Sequence, residues 1–219
     1  MSFCRLANAV LRRMPNNNPE PRWPGLAAVA SVAILYLLLP DALASDYYGW
    51  GMVAFTGALA AAALLVPKWH VALGHATSAV ATGALAYSLY TLVRGLIVGR
   101  HLPPSQLLAG ALLIWSMNMV VFAAWYWRLD AGGPHGRSRH RSYRDGAFLF
   151  PQLTMQNQPG DWRPQFVDYL FIAFNTSTAF SPTDSPVLTR WAKVLMMVQS
   201  SISLTTLAVV AARAVNILT

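Results

Sequence analysis

The sequence predicts an all-α, polytopic membrane protein, and three observations carry that prediction. The chain of 219 residues is 55% hydrophobic and only 11% charged, whereas soluble domains carry about 25% charged residues. Several stretches run without charge for about 18 residues or more, the length a helix needs to cross the hydrocarbon of a bilayer. These runs are continuous rather than alternating, which argues against a β-barrel. The expected layout is about five spanning helices plus one short helix, at 166–178, that re-enters or barely spans.

Residues 1–24 form a basic tail, with Arg5, Arg12, Arg13 and Arg22 set among Asn16, Asn17, Asn18 and several prolines. Such punctuation reads as a loose connector facing the cytosol. Cys4 lies in this tail and has no second cysteine to pair with, so neither an internal disulfide nor a Cys-based metal site is expected. The first apolar run, Leu26 to Leu39, ends at Pro40-Asp41. Ala42-Leu43-Ala44 resembles a cleavage site, but the long Pro-rich basic region before the run favours an uncleaved first span.

Residues 25–127 read as a four-helix membrane region. Tyr47, Tyr48 and Trp50 sit where an interfacial aromatic belt belongs. The second run, Trp50 to Val66, is rich in Gly and Ala and closes at Pro67-Lys68. The third, Val71 to Val98, places Gly74, Ser78 and Thr82 four apart, a stripe that permits close helix contact. Its His75 and Arg94 lie near its two ends, within reach of an interface; a proton-relay role for His75 is the alternative. The fourth run, Leu107 to Trp127, carries Asn118, for which an interhelical hydrogen bond is favoured over substrate contact.

Residues 128–165 form the one long polar segment, an Arg-rich loop expected in the cytosol. Arg137, Arg139, Arg141 and Arg144 are its candidates for contact with anionic lipid headgroups or a partner protein. His135 and His140 are weak grounds for a metal site, and no cofactor is implied. Basic residues sort by alternate loops: the tail, Lys68 and the loop arginines on one side, Arg94 and Arg100 on the other. Positive-inside bias therefore places the N-terminus in the cytosol. The same bias accounts for the net charge of +8 without nucleic acid as a partner.

Residues 166–219 combine a short broken helix with a final apolar run, Val194 to Leu218. The short helix ends in Asn175, Thr176, Ser177 and Thr178, and Ser181, Thr183 and Asp184 follow. Asp168 sits in its first turn, suited to the positive end of the helix dipole; capping or pairing with Arg163 is favoured over ion binding. The final run carries Gln199, Ser200, Ser201, Ser203, Thr205 and Thr206. A polar seam of this kind turns inward, to fasten helices or to line a water path, with fastening favoured.

An aromatic short helix, a Thr/Ser end, an acid and proline, then a basic residue opening a long apolar helix together resemble the pore loop of potassium channels. That resemblance implies an outer helix at 107–127, a pore helix at 166–178 and an inner helix at 194–218, with Thr176, Ser177 and Thr178 before the filter and Asp184 and Pro186 after it. Where that family places filter glycines, this chain has Ala179-Phe180-Ser181-Pro182, so classical potassium selectivity is not expected. The predicted side of re-entry is also opposite to that of potassium channels. From Trp125 onward the chain is similar to an uncharacterised bacterial integral membrane family. The blocks that carry this are Trp-Tyr-Trp-Arg-Leu-Asp-Ala-Gly-Gly-Pro (125–134), Phe-Leu-Phe-Pro-Gln (148–152), Asp-Tyr-Leu-Phe (168–171), Thr-Ala-Phe-Ser-Pro-Thr-Asp (178–184) and Ala-Arg-Ala-Val-Asn-Ile-Leu (212–218). What that resemblance implies is a membrane protein, without an activity.

No Ser/His/Asp set, HExxH, CxxC, phosphate-binding glycine loop or paired carboxylates is present, so an enzyme is not expected. The leading expectation is an ion-channel-like or transport-related membrane protein. Its contacts for a small monovalent cation would come from Asp168, Asn175, Thr176, Ser177, Thr178, Ser181, Thr183, Asp184 and Gln199, with a homo-oligomer around a central axis. The alternative is a non-transporting scaffold or sensor acting through the Arg-rich loop.

Overall fold

A computed structural model describes residues 21, 23–41, 43–44, 49–66, 69–98, 103–139, 146–155, 162–178 and 185–218. Among these the fold is all-helical, with a single isolated bridge between Phe148 and Val187 in place of any strand. The helices are α1 (Trp23–Leu37), α2 (Gly49–Leu65), α3 (His70–Ile97), α4 (Pro104–Leu129), the short α5 (Gly133–Arg139), α6 (Phe166–Thr178) and α7 (Arg190–Leu218). Pro24 and Pro104 each fall in a first helical turn, where the missing N–H costs nothing and the fixed φ suits a helix start.

The axis of the bundle is α4. It packs against α1, α3, α6 and α7, and its most apolar window is 56% buried, against 33% for α3 and 22% for α7. Leu107, Gly110, Ala111, Ile114, Met117, Asn118 and Val121 are buried along it at helical spacing. Below Val121 nearly every residue is buried, because α6 closes over the remaining face.

Among the described residues three helices, α3, α4 and α7, are long and apolar enough to cross a membrane. The first two apolar runs are shorter than the five-span expectation needs, at 15 and 17 residues. At 1.5 Å per residue they rise about 23 and 26 Å, against about 30 Å of hydrocarbon. After α1 the chain turns back at Pro40, whose carbonyl accepts the amide of Leu43 at 2.8 Å. Leu39 and Leu43 are buried in that turn, and a Cβ on Gly110 would overlap the Leu43 side chain. Outward-facing residues such as Trp50, Leu65, Ile97, Leu108, Leu112 and Leu204 are large, apolar and more than half exposed. A surface of this kind suits lipid far better than water.

Candidate functional site

Asp130 lies at the C-terminal end of α4 and is fully buried. Its backbone opens a tight reversal in which Ala131, Gly132 and Gly133 all have positive φ, at 49°, 76° and 73°. The reversal swings α5 back so that Arg137, 4% exposed, donates to the carbonyls of Trp127 at 2.9 Å and Asp130 at 2.8 Å. The Arg137 guanidinium also lies 6.0 Å from the Trp127 ring centroid and 5.3 Å from that of Tyr169. Arg137 was expected at a leaflet or partner surface. It is instead buried, because satisfying those carbonyls and stacking on two rings compensates its desolvation. Arg139 lies in α5 with its side chain outside the described residues, as are Arg141, Arg144 and His140. His135 packs edge-on against His70, with ring centroids 5.3 Å apart.

The Asp130 carboxylate joins three segments at one end of the bundle. One oxygen accepts the amide of Ala147, and the other accepts the hydroxyl of Tyr169 on α6. Trp127 meets Phe166, the first residue of α6, edge-on at 5.9 Å. The carbonyl of Ala147 in turn accepts Leu188 N at 2.8 Å, and Leu149 N donates to Pro186 O at 2.9 Å. Phe148 then packs against Trp191 at the start of α7. Both Phe166 and the 185–188 segment therefore stand at the Asp130 end.

The C-terminal end of α6 stands elsewhere. Ser177 is at the level of Trp115 and Asn118, near the middle of α4. Asn118 lies eleven residues before Leu129, or about 16 Å along the axis. So α6 runs from the end of the bundle to its middle, and by Pro186 the chain is back at the end where it entered.

A buried polar hub holds the inner end of α6. Gln199 of α7, fully buried, accepts the Tyr126 hydroxyl at 2.6 Å and donates to Ala173 O at 2.7 Å and to Ser177 Oγ at 2.8 Å. Asn118 donates to Gln199 O at 3.1 Å and to Ser177 Oγ at 3.4 Å. Because Gln199 O can only accept, the amide nitrogen of Asn118 must face it, which fixes the side chain's orientation. That leaves Asn118 Oδ1 buried without a partner among the described residues.

Three of the last four carbonyls of α6, which have no partner within the helix, are also taken. Ser200 donates to Thr176 O at 3.2 Å, Ser203 donates to Ser177 O with Trp115 Nε1 at 3.4 Å from it, and Thr178 donates to Asn175 O. Hydrogen bonds between helices in lipid contribute about 0.6 kcal/mol each on average. Several of them converging on one short helix fix its depth and rotation. The inward-facing part of the seam on α7 fastens helices, whereas Ser201 and Thr205 are exposed and bond back to their own helix.

Asp168 is not part of this hub. It sits nine residues before Ser177, about 13 Å away along α6. Its carboxylate accepts the amide of Gln165 at 2.6 Å, while its own amide donates to Gln165 O. This is the back-bond of a capping box. Burial pushes its carboxyl above the usual carboxylate range, and the Gln165 bond pulls it partly back. Asn175 and Thr178 are half-buried at the inner end. Ser181, Thr183 and Asp184 lie outside the described residues. Among the described residues no group of three or more His, Cys, Asp or Glu is placed to hold a metal ion.

Asp130, Tyr126 and Tyr169 were not singled out from the sequence as functional residues. For Asp130 a signal existed: an acid at the end of an apolar run, followed by Ala-Gly-Gly, must turn inward with the reversing chain. No family model, curated protein or solved structure matches this chain.

Proposed function

We propose that the chain is a subunit of a channel-like or transport-related membrane protein, with α4, α6 and α7 as its conducting module. The observation that carries this reading is the course of α6. A half-length helix enters at the Asp130 end, stops at the depth of Asn118, and the chain is back at the Asp130 end by Pro186. A helix ending at membrane depth leaves the backbone after it in need of protein or water, which is the arrangement of ion and substrate sites in broken-helix proteins. The negative end of the helix dipole points toward that depth and favours a small cation there.

The hub narrows which residues would meet such a cation. Gln199 of α7 bonds Ser177 of α6 and Tyr126 of α4, while Thr176 bonds back to Ile172 O within α6 and its carbonyl accepts Ser200 of α7, so these residues position the inner end of α6. Asn175 and Thr178 are the remaining candidates at the inner end of α6, and Ser181, Thr183 and Asp184 follow them in the sequence. Two crevices near α1 and α2 are lined by the N-terminal helices and α4, and in the homo-oligomer reading the route runs between copies of the chain. The scaffold reading is weakened because Arg137, the one member of its arginine set with a described side chain, is spent inside the protein.

The test has two steps. Single cysteines at Gln165 and Leu188, both exposed, are placed on a Cys4→Ser background and labelled with an impermeant thiol reagent in intact cells and in opened cells. Both should respond alike. Labelling from opposite sides would make α6 a span and remove the basis of the proposal. Proteoliposomes loaded with potassium or sodium should then leak the cation faster with the protein than without it, and Asp184→Asn should slow the leak. Equal leak with and without protein rejects conduction.

A further inference from the structure

Helix α7 is the least covered of the three long apolar helices, and what it leaves open is one continuous face. Arg190 and Lys193 begin that face, and Val194, Met197, Val198, Ser201, Leu204 and Thr205 carry it on. All are exposed, and steps of one or three residues keep them on one side of a helix. The opposite side, with Ala192, Gln199, Ser203 and Thr206, is buried against α4 and α6. The exposed Ser201 and Thr205 hydroxyls donate to Met197 O and Ser201 O, each at 2.8 Å. They are satisfied within their own helix, so a hydrocarbon neighbour strands neither of them.

The two cations stand at the level of an aromatic girdle. Trp191, beside them, packs on Phe148, and Trp162 packs on Phe150. Both phenylalanines lie against Tyr169 at the Asp130 end. Trp23 opens α1 and Trp69 precedes α3, 66% and 64% exposed. Both helices begin at this same end, where Gly25 and Gly74 adjoin Arg128. Tryptophan collects at the boundary between headgroups and hydrocarbon, so Arg190 and Lys193 fall among the headgroups. Three residues apart on a helix, they are neighbours, and neither has an ion-pair partner among the described residues. From Lys193 to Leu204 the face rises about 16 Å, against about 15 Å for the hydrocarbon of one leaflet.

We propose that this face is a surface site for one anionic phospholipid, its phosphate shared by Arg190 and Lys193 and its acyl chains laid along Val194, Met197, Val198 and Leu204. Charge decides the occupant. A second copy docked here about a twofold along the membrane normal would set four cations against one another, whereas an anionic headgroup neutralises two. Headgroup recognition thereby moves from the arginines at 137–144, of which Arg137 is buried, to the start of α7. The site rests on α7 as a span and not on conduction.

The test is native mass spectrometry of the full chain in detergent, titrated separately with phosphatidylglycerol and with phosphatidylcholine of the same acyl chains. The wild type should retain one phosphatidylglycerol at about tenfold lower lipid concentration than phosphatidylcholine, the scale of one charged hydrogen bond. Arg190→Gln and Lys193→Gln should each narrow that preference, and the double variant should erase it. Arg94→Gln removes an exposed cation from the last turn of α3, at the far end of the bundle, and should leave the preference as it was. Equal retention of the two lipids by the wild type, or an unchanged preference in the double variant, overturns the proposal while leaving α7 as a span. Displacement of phosphatidylglycerol by an equal concentration of inorganic phosphate also overturns it, because the apolar face would then contribute nothing. So does a dimer that retains neither lipid, which assigns the face to a second copy.

Discussion

The hydroxyl of Tyr169 donates to the carboxylate of Asp130 at 2.5 Å, both residues fully buried, and thereby ties the entrance of α6 to the end of α4. The other carboxylate oxygen holds the amide of Ala147, the segment that pairs with 186–188. One side chain thus sets where α6 enters and where the chain comes back. Tyr169→Phe keeps the ring against Phe150 and Phe148 but leaves a buried carboxylate oxygen one donor short. The expected loss is about 1–3 kcal/mol in a denaturant titration in mixed micelles. A stability equal to the parent's would mean that this bond is not what holds the entrance.

Ser177 and Gln199 should be coupled energetically, because Gln199 Nε2 donates to Ser177 Oγ within a site from which water is excluded. Ser177→Ala, Gln199→Leu and the double variant form a thermodynamic cycle. A coupling of about 0.5–1.7 kcal/mol is expected, the range seen between helices in lipid. Gln199→Leu alone should cost more than Ser177→Ala, since it also strands the buried Tyr126 hydroxyl. Additive losses would show that the two side chains fasten α6 independently.

The helices were legible in the sequence because their signals are local and strong. Apolar runs bounded by prolines gave α3, α4 and α7 to within a few residues, and the hydroxyl cluster marked the end of α6 at Thr178. Inward orientation of the seam at Gln199 followed from having several polar residues on a helix otherwise fit for lipid. What stayed hidden was long-range pairing. Nothing in the spacing of Asp130, Ala147 and Tyr169 states that one carboxylate serves both of the others, and an arginine in a polar loop does not announce that Arg137 folds back over Trp127. For α1 and α2 the runs Leu26–Leu39 and Trp50–Val66 matched the helices to within a few residues, but counting both as full spans overestimated their reach.

The reversal after α4 makes paired predictions of opposite sign. Ala131 has φ 49°, where a Cβ is unfavourable by about 1–2 kcal/mol, so Ala131→Gly should stabilise the protein after the extra chain entropy of glycine is offset. Gly133 has φ 73°, and a Cβ there would sit 2.5 Å from the backbone oxygen of Arg128. Gly133→Ala should therefore destabilise by more than about 1 kcal/mol. Thermal unfolding in detergent reads both, and a shift of the same sign in the two variants would contradict the turn geometry.

Asp168 should make stability depend on pH in a direction set by burial. Burial holds its carboxyl above the ordinary carboxylate range, more than the Gln165 amide lowers it. An acid whose folded pKa exceeds its unfolded one favours the fold when protonated. Its contribution is fully present below the unfolded value of about 4 and is lost as pH rises through the folded value. Asp168→Asn keeps an oxygen for the Gln165 amide, remains neutral throughout, and so imitates the protonated acid. Relative to this variant the parent should match best near pH 4 and fall behind as pH approaches 7, read as the difference between their unfolding midpoints. A difference that stays constant with pH, or that favours the parent at pH 7, would mean that the positive end of α6 outweighs burial at this position.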